Sequence, residues 1–178
     1  MAQEMFDKSA LVFGCGNILF GDDGFGPAVV KYLEENYKLP ADVMVMDVGT
    51  SIRDLLFDLT LSESKPQKII IIDAVDFQDH QPGEVFEIPA EAIPPKKTAD
   101  FSLHQFPTVN MLREIQDHTR VEVHIVVVQA EEVPEEVKPG LTPVVKEATK
   151  AWKSSSWRRS KGRSSRRMLK RTTPNPGA

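Results

Sequence analysis

Four consecutive isoleucines at positions 69–72 lead into an acidic residue, Asp73, and this run constrains the fold more than any other feature of the sequence. An unbroken run of β-branched residues is typical of a strand buried on both faces, as in a parallel sheet covered by helices. In open α/β sheets, ligands bind at the carboxyl ends of the strands. We therefore expect Asp73 at a functional edge, where its carboxylate needs a hydrogen-bond partner or a cation.

Segments with strand character alternate with segments of helical periodicity along the first 150 residues. This alternation predicts an α/β fold with three layers, α/β/α, in which helices cover both faces of a mostly parallel, twisted sheet of about five strands. The strand at 83–88 is expected at an edge of the sheet, and the proline-rich segment 89–97 is expected to be a loop. The predicted strands cover residues 9–13, 43–46, 68–72, 83–88 and 121–128, and the predicted helices cover residues 27–37, 52–61, 109–115 and 141–152.

The formal net charge of −4 conceals two segments of opposite character. Nine of the 22 basic residues lie in residues 151–178, which contain no acidic residue, so residues 1–150 carry 13 basic and all 26 acidic side chains. We interpret residues 1–150 as the folded domain and residues 151–178 as a disordered basic tail, because the tail is too poor in apolar residues to fold alone. The composition of the tail differs from that of the preceding helix, which suggests that the tail is a reading-frame artefact. The alternative interpretation is that the basic tail binds nucleic acid.

Hydropathy and cysteine content limit the class of protein further. No apolar run approaches the roughly 18 residues that a membrane span requires. The amino terminus lacks the basic-then-apolar pattern of a signal peptide, so we expect a cytoplasmic protein. The single cysteine, Cys15, excludes an intrachain disulfide and a multi-cysteine metal site, and its place at the end of a core strand is typical of a small buried thiol.

Acidic residues follow the first three predicted strands: Asp22 and Asp23 the first, Asp47 the second and Asp73 the third. His104 stands near the start of the helix that follows the proline-rich segment. Two or three carboxylates and an imidazole at one rim would form an oxygen and nitrogen ligand set, which suits zinc or nickel better than magnesium or calcium. The alternative is structural, with the first three aspartates as helix N-caps, Asp73 as a satisfied buried acid and His104 as a capping or surface residue.

Gly14 and Gly16, directly after the first strand, resemble the start of a dinucleotide-binding loop. Leu19 occupies the place of the third glycine, however, and the acidic pair at positions 22–23 would repel a pyrophosphate. Asp47 at the end of the second strand does fit a ribose contact. A Rossmann-type oxidoreductase therefore stays open as an alternative.

The residues from Gly14 to Pro27, GCGNILFGDDGFGP, resemble the amino-terminal signature of the nickel–iron hydrogenase maturation proteases. The resemblance covers about residues 9–150, and within the family it is greatest to the endopeptidases that serve coenzyme F420-reducing hydrogenases of methanogens. The later segments that match the family, in order, are 47–50 (DVGT), 72–74 (IDA), 82–84 (PGE), 104–105 (HQ) and 140–143 (GLTP).

This resemblance implies an endopeptidase that removes a short carboxyl-terminal extension from a hydrogenase large-subunit precursor once nickel has been inserted. It assigns metal contact and catalysis to Asp23, Asp73 and His104, and we add substrate positioning by Asp47 and Asp22. Many family members have Glu in place of Asp23, and the shorter side chain moves the carboxylate by about one bond length. Nickel would arrive with the precursor, so we expect no permanent cofactor. We also expect no nucleic-acid partner and no membrane span. A noncatalytic chaperone that checks for nickel through the same three ligands is a second alternative.

Overall fold

The computed structural model describes residues 2–89, 106–152 and 169–170. Its strands are β1 (Ala10–Cys15), β2 (Tyr37–Lys38), β3 (Val43–Gly49), β4 (Lys68–Val75), β5 (Val85–Ile88), β6 (Glu122–Gln129) and β7 (Leu169–Lys170). Its α-helices are α1 (Ala2–Phe6), α2 (Phe25–Asn36), α3 (Ile52–Leu61), α4 (Phe106–His118) and α5 (Pro143–Ala151), and a 3-10 turn, Gly21–Gly24, directly precedes α2.

Five strands form the central sheet in the order β3-β1-β4-β6-β5. β1, β3, β4 and β6 are parallel, and β5 runs antiparallel to β6 at one edge. β4 lies between β1 and β6, and all eight of its residues are buried. The predicted α/β fold, with a mostly parallel five-stranded sheet and residues 83–88 at an edge, is confirmed. The carboxyl ends of β3, β1 and β4 are consequently neighbours.

Helices cover both faces of the sheet, and each face has its own apolar core. Ile69 and Ile71 of β4 pack with α1, α3 and α4, whereas Ile70 and Ile72 pack with α2 and α5. This explains the unbroken isoleucine run, because a strand with two buried faces offers no solvent-facing position to a polar side chain. Each fully buried isoleucine contributes roughly 1.5–3 kcal/mol, so β4 anchors both helical layers to the sheet.

All four predicted helices are present, and local residues decide where each of them begins. α2 begins two residues earlier than predicted. α4 begins at Phe106 with Pro107 as its second residue, where the missing N–H removes no helical hydrogen bond. α5 begins at Pro143 and not at Leu141, because Thr142 is an extended N-cap residue and proline suits the first helical position.

Two of the predicted segments lie largely outside the described residues. The loop predicted at 89–97 is described only at Pro89. In the basic tail, Leu169–Lys170 pair antiparallel with Tyr37–Lys38, and Trp152 is buried in the core formed with α2 and α5. Disorder of the tail stays a prediction.

Over the described ranges, no helix combines the length and the apolar character that crossing a bilayer requires.

Candidate active site

Two glycines shape the loop that leaves β1. Gly16 has a φ of 124°, and a Cβ there would lie 1.8 Å from the carbonyl oxygen of Asp23. Gly26, in the first turn of α2, is so close to the sheet that a Cβ would lie 2.2 Å from the carbonyl oxygen of Cys15 and 2.6 Å from that of Ile72. The glycines therefore let the acidic turn and the start of α2 pack directly onto the ends of β1 and β4.

Asp23 lies in the 3-10 turn and is 7% exposed. Its Oδ2 accepts a hydrogen bond from the backbone N–H of Asn17 at 2.8 Å. Its Oδ1 is buried and has no hydrogen-bond partner among the residues that the structure describes. A buried acceptor without a donor costs about 1–3 kcal/mol. An oxygen held in this state is available to a donor or a cation from outside the described residues.

Asp73 and Asp47 lie near the carboxyl ends of β4 and β3, on either side of β1. Asp73 is fully buried, and its Oδ1 accepts a hydrogen bond from the N–H of Ala74 at 2.8 Å. Asp47 is exposed, and its Oδ1 accepts a hydrogen bond from the N–H of Gly49 at 2.9 Å. One carboxylate is therefore enclosed by the protein, and the other is open to solvent.

The three carboxylates lie around the carboxyl end of β1, where Cys15 is buried. Gly14 is paired with Asp47 on one side and with Ile72, the neighbour of Asp73, on the other, and Asp23 is hydrogen-bonded to Asn17. Burial raises the pKa of Cys15 well above its usual value, and repulsion from Asp73, Asp47 and Asp23 raises this pKa further. Three acids from separate parts of the sequence thus act on one thiol at the end of β1. The raised pKa keeps the thiol protonated at neutral pH, and a protonated thiol is a poor nucleophile.

His104, the remaining predicted ligand, lies outside the described residues, two positions before α4 begins. Within residues 2–89, 106–152 and 169–170, no group of three or more His, Cys, Asp or Glu residues has an arrangement that could hold a metal ion. The described carboxylates are thus at most part of a ligand set. The role of His104 stays a prediction.

The helix-capping alternative for the aspartates is wrong for the helices that follow them. The N-cap residue of α2 is Gly24 and that of α3 is Ser51, and neither helix has a side-chain cap. The 3-10 turn also begins without a side-chain cap. None of these helices is therefore capped by Asp22, Asp23 or Asp47.

Asp22 is fully buried and joins distant segments of the chain. Its Oδ2 accepts hydrogen bonds from the backbone N–H groups of Glu131 and Glu132 at 2.9 and 3.0 Å. Its Oδ1 accepts one from the backbone N–H of Thr142 at 2.7 Å, and the Thr142 hydroxyl donates to the carboxylate at 3.0 Å. These contacts favour a structural role over the predicted substrate positioning. No local pattern separated Asp22 from Asp23, because the partners of Asp22 lie 109–120 positions away.

A groove of about 390 Å³ opens beside the carboxylates. Asp47 belongs to both the groove and the carboxylate group, and Ile18 on the groove wall is 60% exposed. The groove carries no signal in the sequence, because its residues come from three separate segments, 18–31, 47 and 140–141. Those that matter most are Ile18, Gly24, Pro27, Ala28, Lys31, Asp47 and Leu141.

Both the sequence and the fold match one protein family. The HycI family of hydrogenase maturation proteases matches residues 27–154. The coenzyme F420 hydrogenase subunit delta of Methanothermobacter thermautotrophicus is 38% identical over 147 residues, which cover 80% of this chain and 89% of that protein. The hydrogenase 2 maturation protease of Escherichia coli is 32% identical over 137 residues, which cover 76% of this chain and 80% of that protein.

The solved structure of the hydrogenase maturating endopeptidase HybD from Escherichia coli is similar with a TM-score of 0.64 and 28% identity, covering 80% of this chain and 85% of that chain. These matches confirm the predicted family and support a protease over a noncatalytic chaperone or a Rossmann-type oxidoreductase. The chain belongs to the hydrogenase maturation protease family, and it is an endopeptidase that processes the carboxyl terminus of a hydrogenase large-subunit precursor.

Proposed function

We propose that this endopeptidase cleaves its nickel–iron hydrogenase precursor only after nickel has been inserted, and that it recognises the nickel directly. The observation that carries the proposal is the Oδ1 atom of Asp23, which is buried without a donor among the described residues. The 3-10 turn that carries Asp23 packs against β4, which carries Asp73, so a second carboxylate is close by. A cation placed between them would offset the cost of burying these charges.

In the proposed complex, Asp23 and Asp73 contact the nickel through oxygen, and His104 contacts it through nitrogen. Mixed oxygen and nitrogen donors suit nickel better than magnesium or calcium. Three ligands leave coordination positions for donors of the precursor, which brings the metal. A nickel-free precursor lacks this anchor, so docking itself reports whether insertion has taken place.

The anchored nickel would fix the position of the scissile bond relative to the protease, which lowers the entropic cost of reaching the transition state. Asp47 is exposed and held by Gly49, so it can position the extension by accepting hydrogen bonds or pairing with a cation. The chain has no His-Glu-x-x-His segment, and Cys15 is buried and protonated. Carboxylates are therefore the general bases that the described site can offer.

The proposed substrate is the precursor of a coenzyme F420-reducing hydrogenase large subunit, processed in the cytoplasm. The support is the 38% identity to a coenzyme F420 hydrogenase subunit delta, against 32% to the hydrogenase 2 maturation protease of Escherichia coli. Cleavage assays with precursors of both hydrogenase types would test this preference through kcat/KM.

The central test compares nickel-loaded with nickel-free precursor, with the products weighed by mass spectrometry. We expect truncation only of the nickel-loaded form by the unmodified enzyme, and none by Asp23→Asn, Asp73→Asn or His104→Ala. Asp58→Asn, an exposed acid on α3, is the matched control and should cleave normally. Nickel-independent cleavage, or normal cleavage by all three site variants, would refute the proposal.

A further inference from the structure

The groove beside the carboxylates follows one face of α2. Gly24, at the N-cap, and Pro27, Ala28 and Lys31 recur at helical spacing, so they form a strip about 10 Å long on one side of the helix. Three of these four residues have small or compact side chains. The floor of the groove is therefore low, and a bound chain could approach the helix closely.

Two aliphatic side chains stand over this floor. A Cβ on Gly24 would lie 3.2 Å from the Cα of Ile18 and 3.7 Å from Cδ2 of Leu141, so both residues border the same point. Ile18 is 60% exposed, although most large apolar side chains of the described domain are buried. An exposed aliphatic residue on the wall of a concave, largely apolar groove is typical of a binding surface.

We propose that this groove binds the precursor segment beside the scissile bond in an extended conformation, with an aliphatic side chain seated between Ile18 and Leu141. The inference rests on the proposed function, since that function places the scissile bond near the carboxylates. An endopeptidase must lay a chain across its site, and Asp47 makes the groove continuous with that site. A strip of about 10 Å accommodates about three extended residues.

The charges at the groove favour the same occupant. Asp47 can face a basic group of the bound segment, which the acidic domain would also attract over longer distances. Lys31 is 78% exposed, and its Nζ is 3.8 Å from Oε1 of Glu35, so this ion pair leaves its ammonium group accessible. The groove therefore fits a segment that carries an aliphatic residue together with a basic and an acidic group.

Two substitutions test the groove without touching the carboxylates. Ala28→Phe would fill the floor, and Ile18→Ser would remove an exposed apolar wall with little effect on folding. The matched controls are Asp58→Phe, which puts the same ring at an exposed position of α3 away from the groove, and Leu61→Ser, which removes a 70% exposed aliphatic side chain from α3. All four proteins are assayed with the nickel-loaded precursor, after thermal melting has confirmed that each is folded.

For both groove variants we expect KM to rise about tenfold, the effect of removing one interface anchor, with kcat changed less than about twofold. The controls should keep the KM of the unmodified enzyme. An unchanged KM in both groove variants, or an equal rise in the controls, would overturn the inference. The nickel dependence of the unmodified enzyme is read separately, so a failure of nickel recognition can be told apart from a failure of the groove.

Discussion

Replacing Asp22 by Asn changes one carboxylate oxygen into an amide nitrogen at a site built entirely from donors. Oδ2 faces the backbone N–H groups of Glu131 and Glu132, and Oδ1 faces the backbone N–H of Thr142. The Thr142 hydroxyl lies 3.0 Å from both oxygens. The amide nitrogen would therefore point at donors in either orientation. Its less costly orientation is towards the backbone N–H of Thr142, because one backbone donor then loses its acceptor instead of two.

The expected destabilisation follows from this count of contacts. In the better orientation the backbone N–H of Thr142 still loses its acceptor, and the two remaining backbone bonds lose the negative charge that strengthens them. Hydrogen bonds to charged groups contribute about 1.5–3 kcal/mol each, and an unsatisfied buried donor costs about 1–3 kcal/mol. We expect Asp22→Asn to lower the free energy of unfolding by about 3 kcal/mol, a large share of the 5–15 kcal/mol typical of a domain.

Urea unfolding measures this loss as a shift of the midpoint at an unchanged m-value. Thr142→Val is the matched control, since it removes the hydroxyl but keeps the backbone N–H, and it should cost only about 1 kcal/mol. A loss below about 1 kcal/mol for Asp22→Asn would refute the reasoning. It would mean that these donors find water or other acceptors, and that Asp22 does not tie the acidic turn to residues 131–142.

Two further predictions concern the same loop. Because its pKa is raised, Cys15 should react with iodoacetamide at pH 8 far more slowly in the folded protein than in the urea-unfolded chain. Equal alkylation rates would contradict the raised pKa. The Cys15→Ala variant should still cleave the precursor. Gly16→Ala should cost at least ~3 kcal/mol because its Cβ would overlap Asp23, whereas Gly140→Ala, with a φ of 109° but nothing within 4 Å, should cost only about 1–2 kcal/mol. Equal unfolding midpoints for the two variants would remove the case for close packing at Gly16.

The sheet was predictable because its strands carry local signals of their environment. The isoleucine run of β4 requires two buried faces, and the structure shows that successive isoleucines enter opposite cores. The antiparallel edge strand β5 was also predictable in position, although its direction depends on pairing with β6. Helix ends were less accurate, since Pro143 and Thr142 decide the start of α5 locally while a periodic pattern reaches back to Leu141.

The acids at the strand ends were predictable as a group, whereas only the family resemblance separated the role of Asp23 from that of Asp22. Asp22 and Asp23 are neighbours with the same side chain, and no periodicity or spacing distinguishes them. The 3-10 turn separates them, because it directs one carboxylate to donors from residues 131–142 and the other to Asn17. The groove escaped prediction for a similar reason, since α2 provides its floor while Ile18 and Leu141 come from loops at opposite ends of the sequence.

The adjacent aspartates should consequently respond in opposite ways to the same substitution. Asp23→Asn keeps an oxygen for the N–H of Asn17 and removes a buried charge whose Oδ1 has no donor among the described residues, so we expect the free energy of unfolding to be unchanged or to rise. Cleavage should nevertheless be lost, because the oxygen that we propose contacts nickel becomes an amide nitrogen. Asp22→Asn should instead destabilise the fold. If Asp23→Asn destabilised the protein as much as Asp22→Asn, its Oδ1 would have to be held by the protein itself, and a site kept open for the metal of the precursor would lose its physical basis.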